Sequence, residues 1–235
     1  DNAEQDFTAT EIEDGTLESW VGDLFNGRVT TLYDQSGNGN NAVQSDPNYQ
    51  PAIVYLGSLI KVNNKPSMGF SGDVLQVNND ITGEDFGVYS VFKPDTVDPP
   101  QDGFIIDNFT SFGRGLLHDN FYDGKITLIT DTTTTTPIRV RSNTTTDLTL
   151  VTGIIENDPV KGMVEIFRNG TLEDSFVGNV PYNENTFPQY IGAGSANAGE
   201  PFQGNISEII IYTSTNVVIS DRPSIDNNII DYYNI

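Results

Sequence analysis

The side chains with the most chemistry to offer in this sequence are acids and tyrosines set in polar turns. Asp34, Ser36 and Asn38 stand at alternate positions of Asp34-Gln35-Ser36-Gly37-Asn38-Gly39. Oxygen ligands at that spacing, closed by a glycine, are what the first half of a calcium loop requires. The second half lacks its glutamate, because the twelfth position is Ser45. The same residues also suit a turn that satisfies itself. Asp34 and Ser36 would then bond to their own backbone, with Gly37 and Gly39 at positive φ. Both readings stand on sequence alone. In the first, calcium is the cofactor and Asp34, Ser36 and Asn38 are its ligands. Asp73, Asp107, Asp119 and Asp123 are further loop acids that a cation could recruit.

Sugars present an apolar CH face and many hydroxyls, so their sites join aromatic faces to short polar side chains. Two segments fit best, Asn120-Phe121-Tyr122-Asp123-Gly124 and Pro181-Tyr182-Asn183-Glu184-Asn185-Thr186-Phe187. Tyr122, Asp123, Tyr182, Asn183 and Asn185 are therefore the candidate glycan contacts. Each tyrosine can equally be packing its own loop. Glycoside hydrolysis would need two carboxylates about 5–10 Å apart. Glu156, Glu165 and Glu208 fall on expected strands, but no pair stands out. His118 is the single histidine, and there is no cysteine. That argues against a transition-metal site or a nucleophilic triad. His118 reads as a hydrogen-bonded strand residue. No phosphate loop or dinucleotide fingerprint occurs.

Charge narrows the partners. Eleven Lys and Arg against 33 Asp and Glu give a formal net charge of −22. Such a surface repels phosphates, so nucleic acid is not an expected partner. No apolar run approaches the roughly 20 residues of a membrane span, so membrane insertion is not expected. At 235 residues the chain suits one domain with a large core and no disulfides.

The elements that must carry these residues are mostly strands. Short apolar runs alternate with Gly, Asn, Asp and Thr turns, the pattern of an all-β sandwich. Expected strands are Val29–Tyr33, Ala52–Tyr55, Leu59–Val62, Ser67–Phe70, Val74–Val77, Gly87–Lys93 and Phe104–Asp107. Lys125–Thr130, Ile138–Ser142, Leu148–Ile155, Val164–Arg168, Thr171–Phe176, Tyr190–Gly192 and Ile206–Tyr212 follow. Asn169-Gly170 between two β runs predicts a type I′ hairpin. Continued without a bulge, that register sets Glu165 against Asp174, a like-charge pair that needs solvent or a bridging cation. Near the start, Leu17, Trp20, Val21 and Leu24 predict a helix capped by Asp14, with Trp20 in the core. Near the end, Ser220 is expected to cap a helix carrying Ile225, Ile229 and Tyr232 on one face. Thr132–Thr136 reads as a loop or frayed edge.

Several stretches resemble a known group. Val29-Thr30-Thr31-Leu32-Tyr33-Asp34-Gln35-Ser36-Gly37-Asn38-Gly39-Asn40-Asn41-Ala42 is similar to a segment of concanavalin A-like domains. Such domains occur in phage structural proteins, in bacterial surface proteins and in the catalytic domain of α-L-arabinofuranosidase B. Asn64-Lys65-Pro66-Ser67-Met68-Gly69-Phe70 and Gly87–Pro94 resemble laminin G-like elements, as does Phe202-Gln203-Gly204-Asn205-Ile206-Ser207-Glu208-Ile209-Ile210-Ile211-Tyr212. The resemblance implies an all-β, two-sheet antiparallel jelly-roll sandwich with short N-terminal and C-terminal helices. It implies one domain over 1–235, lacking the family's first strand. It keeps calcium open, since laminin G-like relatives often hold it through Asp side chains and loop carbonyls. It also implies a non-catalytic glycan-binding or adhesive module, extracellular or on a virion surface. Its partner would be a polysaccharide or cell-surface glycan. A structural role among neighbouring subunits of a particle and a glycoside hydrolase are the alternatives.

Overall fold

The computed structural model describes residues 3–79, 85–107, 114–130, 137–180, 189–213 and 220–235. Strands β1 (Gly27–Arg28), β2 (Thr31–Leu32), β3 (Ala42–Val43), β4 (Ala52–Tyr55), β5 (Ser58–Leu59) and β6 (Lys61–Val62) come first. Then follow β7 (Lys65–Pro66), β8 (Met68–Ser71), β9 (Leu75–Val77), β10 (Phe86–Pro94), β11 (Gly103–Asp107), β12 (Arg114–Asp119) and β13 (Lys125–Thr130). The last are β14 (Ile138–Ser142), β15 (Thr149–Glu156), β16 (Asp158–Arg168), β17 (Thr171–Val180), β18 (Tyr190–Ile191) and β19 (Gln203–Tyr212). Helices α1 (Ala9–Glu13) and α2 (Thr16–Val21) precede them, and α3 (Arg222–Tyr233) closes the chain.

Two antiparallel sheets carry the fold. The first runs β1-β4-β8-β19-β10-β15-β16-β17, with β5 beside β4, and the second runs β14-β13-β12-β11-β18-β9-β3-β2. A small ribbon, β6-β7, stands apart. Alternate side chains of both sheets meet in one core that includes Phe70, Val88, Phe92, Ile105, Leu116, Ile126, Leu128, Val164 and Phe202. This is the jelly-roll sandwich expected from the sequence. Period-2 alternation forces it, because each sheet has one apolar face and only the other sheet can cover it.

Helix α3 covers part of the outer face of the first sheet. Ile229 and Tyr233 pack there with Val62, Tyr89, Val91 and Leu150. Asp226, 1% exposed, accepts a 2.6 Å hydrogen bond from Thr152 and pairs with Arg222. The Arg222 guanidinium lies on the Phe167 ring at 3.8 Å. The cap differs from expectation. Asp221, not Ser220, is the N-cap, and Tyr233, not Tyr232, is buried with the isoleucines. The row 225-229-233 faces the sheet, and the Tyr233 hydroxyl donates to the Ser207 carbonyl at 3.3 Å. Tyr232 turns outward under Lys65, 3.7 Å from its ring.

Three further expectations change. The N-terminal helix breaks at Gly15 and stops at Val21, leaving Trp20 40% exposed against Phe7 rather than in the core. Leu24 lies beyond the helix end, with φ 67. The stretch Val29–Tyr33 holds only β2, and Leu59–Val62 splits between β5 and β6. Strands β1, β3, β7 and β12 were missing from the expected set. The Thr132–Thr136 run lies outside the described residues.

The Asn169-Gly170 hairpin forms, with φ 48 and 77, and pairs Arg168 with Thr171 and Phe167 with Leu172. A bulge then shifts the register, so Ile166 faces Asp174 and Glu165 faces Ser175. The expected Glu165–Asp174 repulsion is thereby avoided. Glu173 turns back instead to pair with Arg168 at 2.8 Å. Gly170 has only an ordinary contact where a Cβ would sit, so the cost of substitution there is conformational. Gly170→Ala is expected to lose about 1–2 kcal/mol of stability, seen as a lower urea midpoint with an unchanged slope.

Candidate functional site

Strands β12 and β13 form a hairpin in register from Arg114–Thr130 to Asp119–Lys125. Its turn is a short 3-10 segment, Asn120–Tyr122, followed by Asp123 in the left-handed region. Asp119, 3% exposed, holds this turn. Its carboxylate accepts from the Phe121 amide at 3.0 Å and from the Thr127 hydroxyl at 2.9 Å. The Gly124 amide donates to the Asp119 carbonyl at 3.1 Å. From the loop before β11, Asp102 accepts from the Asn120 amide at 2.7 Å. Burial pushes the Asp102 carboxyl above the usual range, against that hydrogen bond.

A turn held this firmly displays its aromatics. Phe121 is 84% exposed and Tyr122 44%. The Arg141 guanidinium of β14 stacks on the Tyr122 ring at 3.5 Å. A cation over a tyrosine face contributes about 0.5–1 kcal/mol at an exposed site and fixes the ring plane. The turn thus offers an open phenyl face, a braced phenol, a guanidinium and the Asp123 carboxylate. Two of the candidate contacts, Tyr122 and Asp123, are here. Tyr182, Asn183 and Asn185 lie outside the described residues. Phe121 belongs to the segment read from sequence but was not singled out. The signal was the following Asp123-Gly124 pair, whose positive φ lifts the preceding side chains off the sheet.

Behind the turn lies a small pocket of about 250 Å³, its open mouth included. Thr96, Pro99, Pro100, Gln101 and Gly103 line it together with Pro201, Phe202, Gln203 and His118. His118 lies on β12 two residues after the core residue Leu116, so it faces between the sheets. It is 2% exposed. The expectation of a strand residue held by hydrogen bonds is met on one side. The Val97 and Gly124 carbonyls accept from the imidazole. Its Nε2 has no partner among the described residues. Burial dominates its titration and lowers it below the usual histidine range; the two carbonyls, Asp119 and Asp98 oppose that shift. Near the mouth, burial and the Asp102 charge raise the Glu200 carboxyl.

The Asp34 loop sits elsewhere. It joins β2 to β3 at the opposite end of the second sheet from β14. Asp34 accepts from the Ser36 amide at 2.8 Å, the Ser36 hydroxyl at 2.9 Å and the Asn40 amide at 2.9 Å. The Ser36 hydroxyl oxygen accepts from the Asn38 amide at 3.2 Å. These bonds lower the Asp34 carboxyl, the Ser36 hydroxyl contributing most. Both carboxylate oxygens therefore serve their own turn. Asp107 and Asp119, read as loop acids, lie on β11 and β12 and are buried, and Asp73 is buried against the Ser71 amide and Arg28. No cluster of three His, Cys, Asp or Glu suited to a metal occurs among the described residues.

The acids considered for glycoside hydrolysis share the outer face of the first sheet. The Glu156 charge acts on Glu165, with Arg222 opposing it, and burial raises Glu165. Glu208 lies under α3, with its carboxyl raised by burial against a hydrogen bond from Tyr233.

The sequence model of the concanavalin A-like lectin/glucanases superfamily matches residues 69–216. No curated protein matches the sequence. Among solved structures, the binding domain of Paraclostridial Mosquitocidal Protein 1 is similar at a TM-score of 0.62 and 14% identity, over 93% of this chain and 53% of that one. The receptor-binding domain of botulinum neurotoxin D gives 0.55 and 16%, over 86% and 53%. The binding domain of botulinum neurotoxin DC, in complex with SialylT, gives 0.52 and 11%, over 86% and 51%. The chain spans about half the length of these domains, and the likeness at such identities is one of fold. Among the described residues, no helix is long and apolar enough to cross a membrane.

Because His118 is the chain's only histidine, its ring signals need no assignment. They are expected to titrate below about pH 6.5. The folded value lies below the unfolded one, so the His118 contribution to stability is complete above about pH 6.5 and is lost as pH falls through the folded value. A Cβ on Gly124 would sit 1.6 Å from the Val97 carbonyl oxygen. Gly124→Ala is expected to undock that loop, move the His118 midpoint toward the ordinary value in an NMR titration, and lower the melting temperature.

Proposed function

The chain belongs to the concanavalin A-like lectin/glucanases superfamily, and from that premise we propose that it is a non-catalytic glycan-binding or adhesive module. The observation that carries this reading is the β12–β13 turn, where the Phe121 and Tyr122 rings stand out of a polar surface on a hydrogen-bonded frame. An exposed aromatic face costs solvent ordering unless a partner covers it, and a sugar CH face beside hydroxyl-seeking groups is such a partner. Asp123 and Arg141 supply the polar contacts. The toxin domains of like fold are described as binding or receptor-binding domains, which supports recognition as the use of the scaffold. The proposed partner is a polysaccharide or cell-surface glycan, met outside the cell or from a virion surface.

A second reading, docking onto neighbouring structural subunits, is favoured by a different surface. Leu24, Phe25, Tyr55 and Leu56 are all exposed. Their two loops are tied by 2.8 Å bonds from the Gly57 amide to the Phe25 carbonyl and from the Leu56 amide to the Asn26 side chain. Calcium enters the proposal only through the Asp34 loop, where it would displace hydrogen bonds already made.

A glycan array with and without calcium tests these readings together. Phe121→Ala and Tyr122→Ala are expected to weaken the best-bound glycan at least about tenfold, or about 1.4 kcal/mol each, with little change in melting temperature. An array on which nothing binds with or without calcium overturns the glycan reading. Binding lost in Asp34→Asn and in chelator, but kept in the Phe121 and Tyr122 variants, moves the site to the Asp34 loop. Self-association abolished by Phe25→Asp, with an empty array, favours the subunit reading.

A further inference from the structure

An asparagine followed by glycine is open to self-modification, because a glycine nitrogen, with no side chain beside it, can reach the preceding carboxamide carbon. The chain holds three such pairs, Asn26-Gly27, Asn38-Gly39 and Asn169-Gly170. Their sequence does not rank them. The reaction needs the asparagine side chain to swing toward the next backbone nitrogen, so whatever holds either group slows it.

Two of the pairs are held. The Asn26 side-chain oxygen accepts from the Leu56 amide at 2.8 Å. Gly27 is buried in β1 opposite Val54, and a Cβ on it would meet the Val21 side chain at 2.9 Å. The Asn169 side-chain oxygen accepts from the Thr149 hydroxyl at 3.0 Å and from the Leu150 amide at 2.9 Å. The Asn169 amide donates in turn to the Leu150 carbonyl at 2.9 Å. Both pairs must open locally before their groups can meet.

Asn38-Gly39 is free of such ties. Both residues are exposed and lie outside any strand. Nothing stands within 4 Å of where a Cβ would sit on Gly37 or Gly39. The Asn38 carboxamide and the Gly39 amide have no hydrogen-bond partner among the described residues. The Asn38 amide donates to the Ser36 hydroxyl at 3.2 Å, and the Gly39 carbonyl accepts from the Asn79 side chain at 3.0 Å. Those bonds anchor the chain on both sides of the pair and engage neither reacting group. The net charge of −22 opposes loss of an amide proton at all three pairs and so does not rank them. Asp34 adds to it beside Asn38, but its oxygens accept from the Ser36 amide, the Ser36 hydroxyl and the Asn40 amide, which spread that charge.

We propose that Asn38 is a site of spontaneous deamidation and isomerisation, with water as the co-reactant and ammonia as the leaving group. A base takes the Gly39 amide proton, and the nitrogen bonds to Asn38 Cγ. The Cγ–Nδ2 bond breaks, and Nδ2 leaves as ammonia with its own two protons and one from solvent. The five-membered succinimide then takes up one water. Addition at Cγ gives aspartate. Addition at the backbone carbonyl carbon gives isoaspartate, whose main chain is one carbon longer. Nothing is oxidised or reduced. Either product sets a second carboxylate in the Asp34 turn, and the isoaspartyl form adds its extra carbon between the Ser36 and Asn40 donors that share Asp34.

The test follows the whole chain over time in mildly alkaline buffer, once folded and once unfolded in guanidinium chloride. Peptide mapping with electron-transfer fragmentation reads asparagine, aspartate and isoaspartate at each pair. The folded rate divided by the unfolded rate cancels the effect of flanking residues. That ratio is expected to be at least about tenfold higher for Asn38 than for Asn26 or Asn169, a difference in barrier of about 1.4 kcal/mol. Asn38→Gln, whose longer side chain closes the ring poorly, is expected to remove the early acidic species on isoelectric focusing. A ratio for Asn38 no higher than for the other two overturns the proposal. Early acidic species that persist unchanged in Asn38→Gln overturn it as well. The mapping is made on the wild-type chain, so it decides even where the variant does not fold.

Discussion

The constraint on which the structure depends is that each sheet can hide its apolar face only against the other. Leu116, Ile126 and Leu128 of one sheet and Val88, Val151 and Val164 of the other are buried in one shared core. Because side chains alternate with a period of 2, a slip of one residue would turn all of them outward. Burial of the shared core therefore fixes the register of β12 against β11 and β13. That register puts Leu117 with Phe104 and Ile129 on the outer side, and His118 on the inner side. Asp119 then returns to the outer side, beside Thr127, where it can hold the turn. The candidate site follows from core packing, one residue at a time.

Buried polar groups mark where the fold departs from simple packing. Asp226 is matched by Thr152 and Arg222, which docks α3 on the sheet. Asp119 is matched by its own turn and by Thr127. Tyr89, under α3, has a hydroxyl with no partner among the described residues, and burial raises it well above the usual tyrosine range. His118, beside a small pocket, is a further case, its Nε2 buried without a partner among the described residues. A polar atom sealed in the core without a partner is a cost to stability.

The charge distribution joins these features. The net charge of −22 is a property of the whole chain, yet the raised carboxyls among the described residues include the buried Asp226 and the half-buried Asp102 and Glu208. The Asp34 carboxylate, by contrast, is lowered by a loop that wraps it in donors. The same residue type thus has its carboxyl lowered in one place and raised in another, according to what packs around it.

Much of the fold was legible in the chain itself. Alternation and turn residues located most strands, and Lys125–Thr130 and Ile138–Ser142 have the bounds expected. Asn169-Gly170 announced its hairpin, since few other pairs accept two positive φ values. The aromatic turn at Asn120–Gly124 was also readable, because its composition is local. Local patterning could not supply the bulge after Phe167, which is set by the rest of the sheet and separates Glu165 from Asp174. Nor could it supply the exposure of Trp20, which follows from where α2 stops and what Phe7 covers. The pocket is wholly tertiary: His118, Thr96, Gly103 and Phe202 lie far apart in sequence and meet only where β10, β11, β12 and β19 end together. Residue type alone determined that the chain had a single imidazole. Only the pairing of sheets, which sets what surrounds each atom, decided that this imidazole would be buried with one nitrogen unmatched among the described residues.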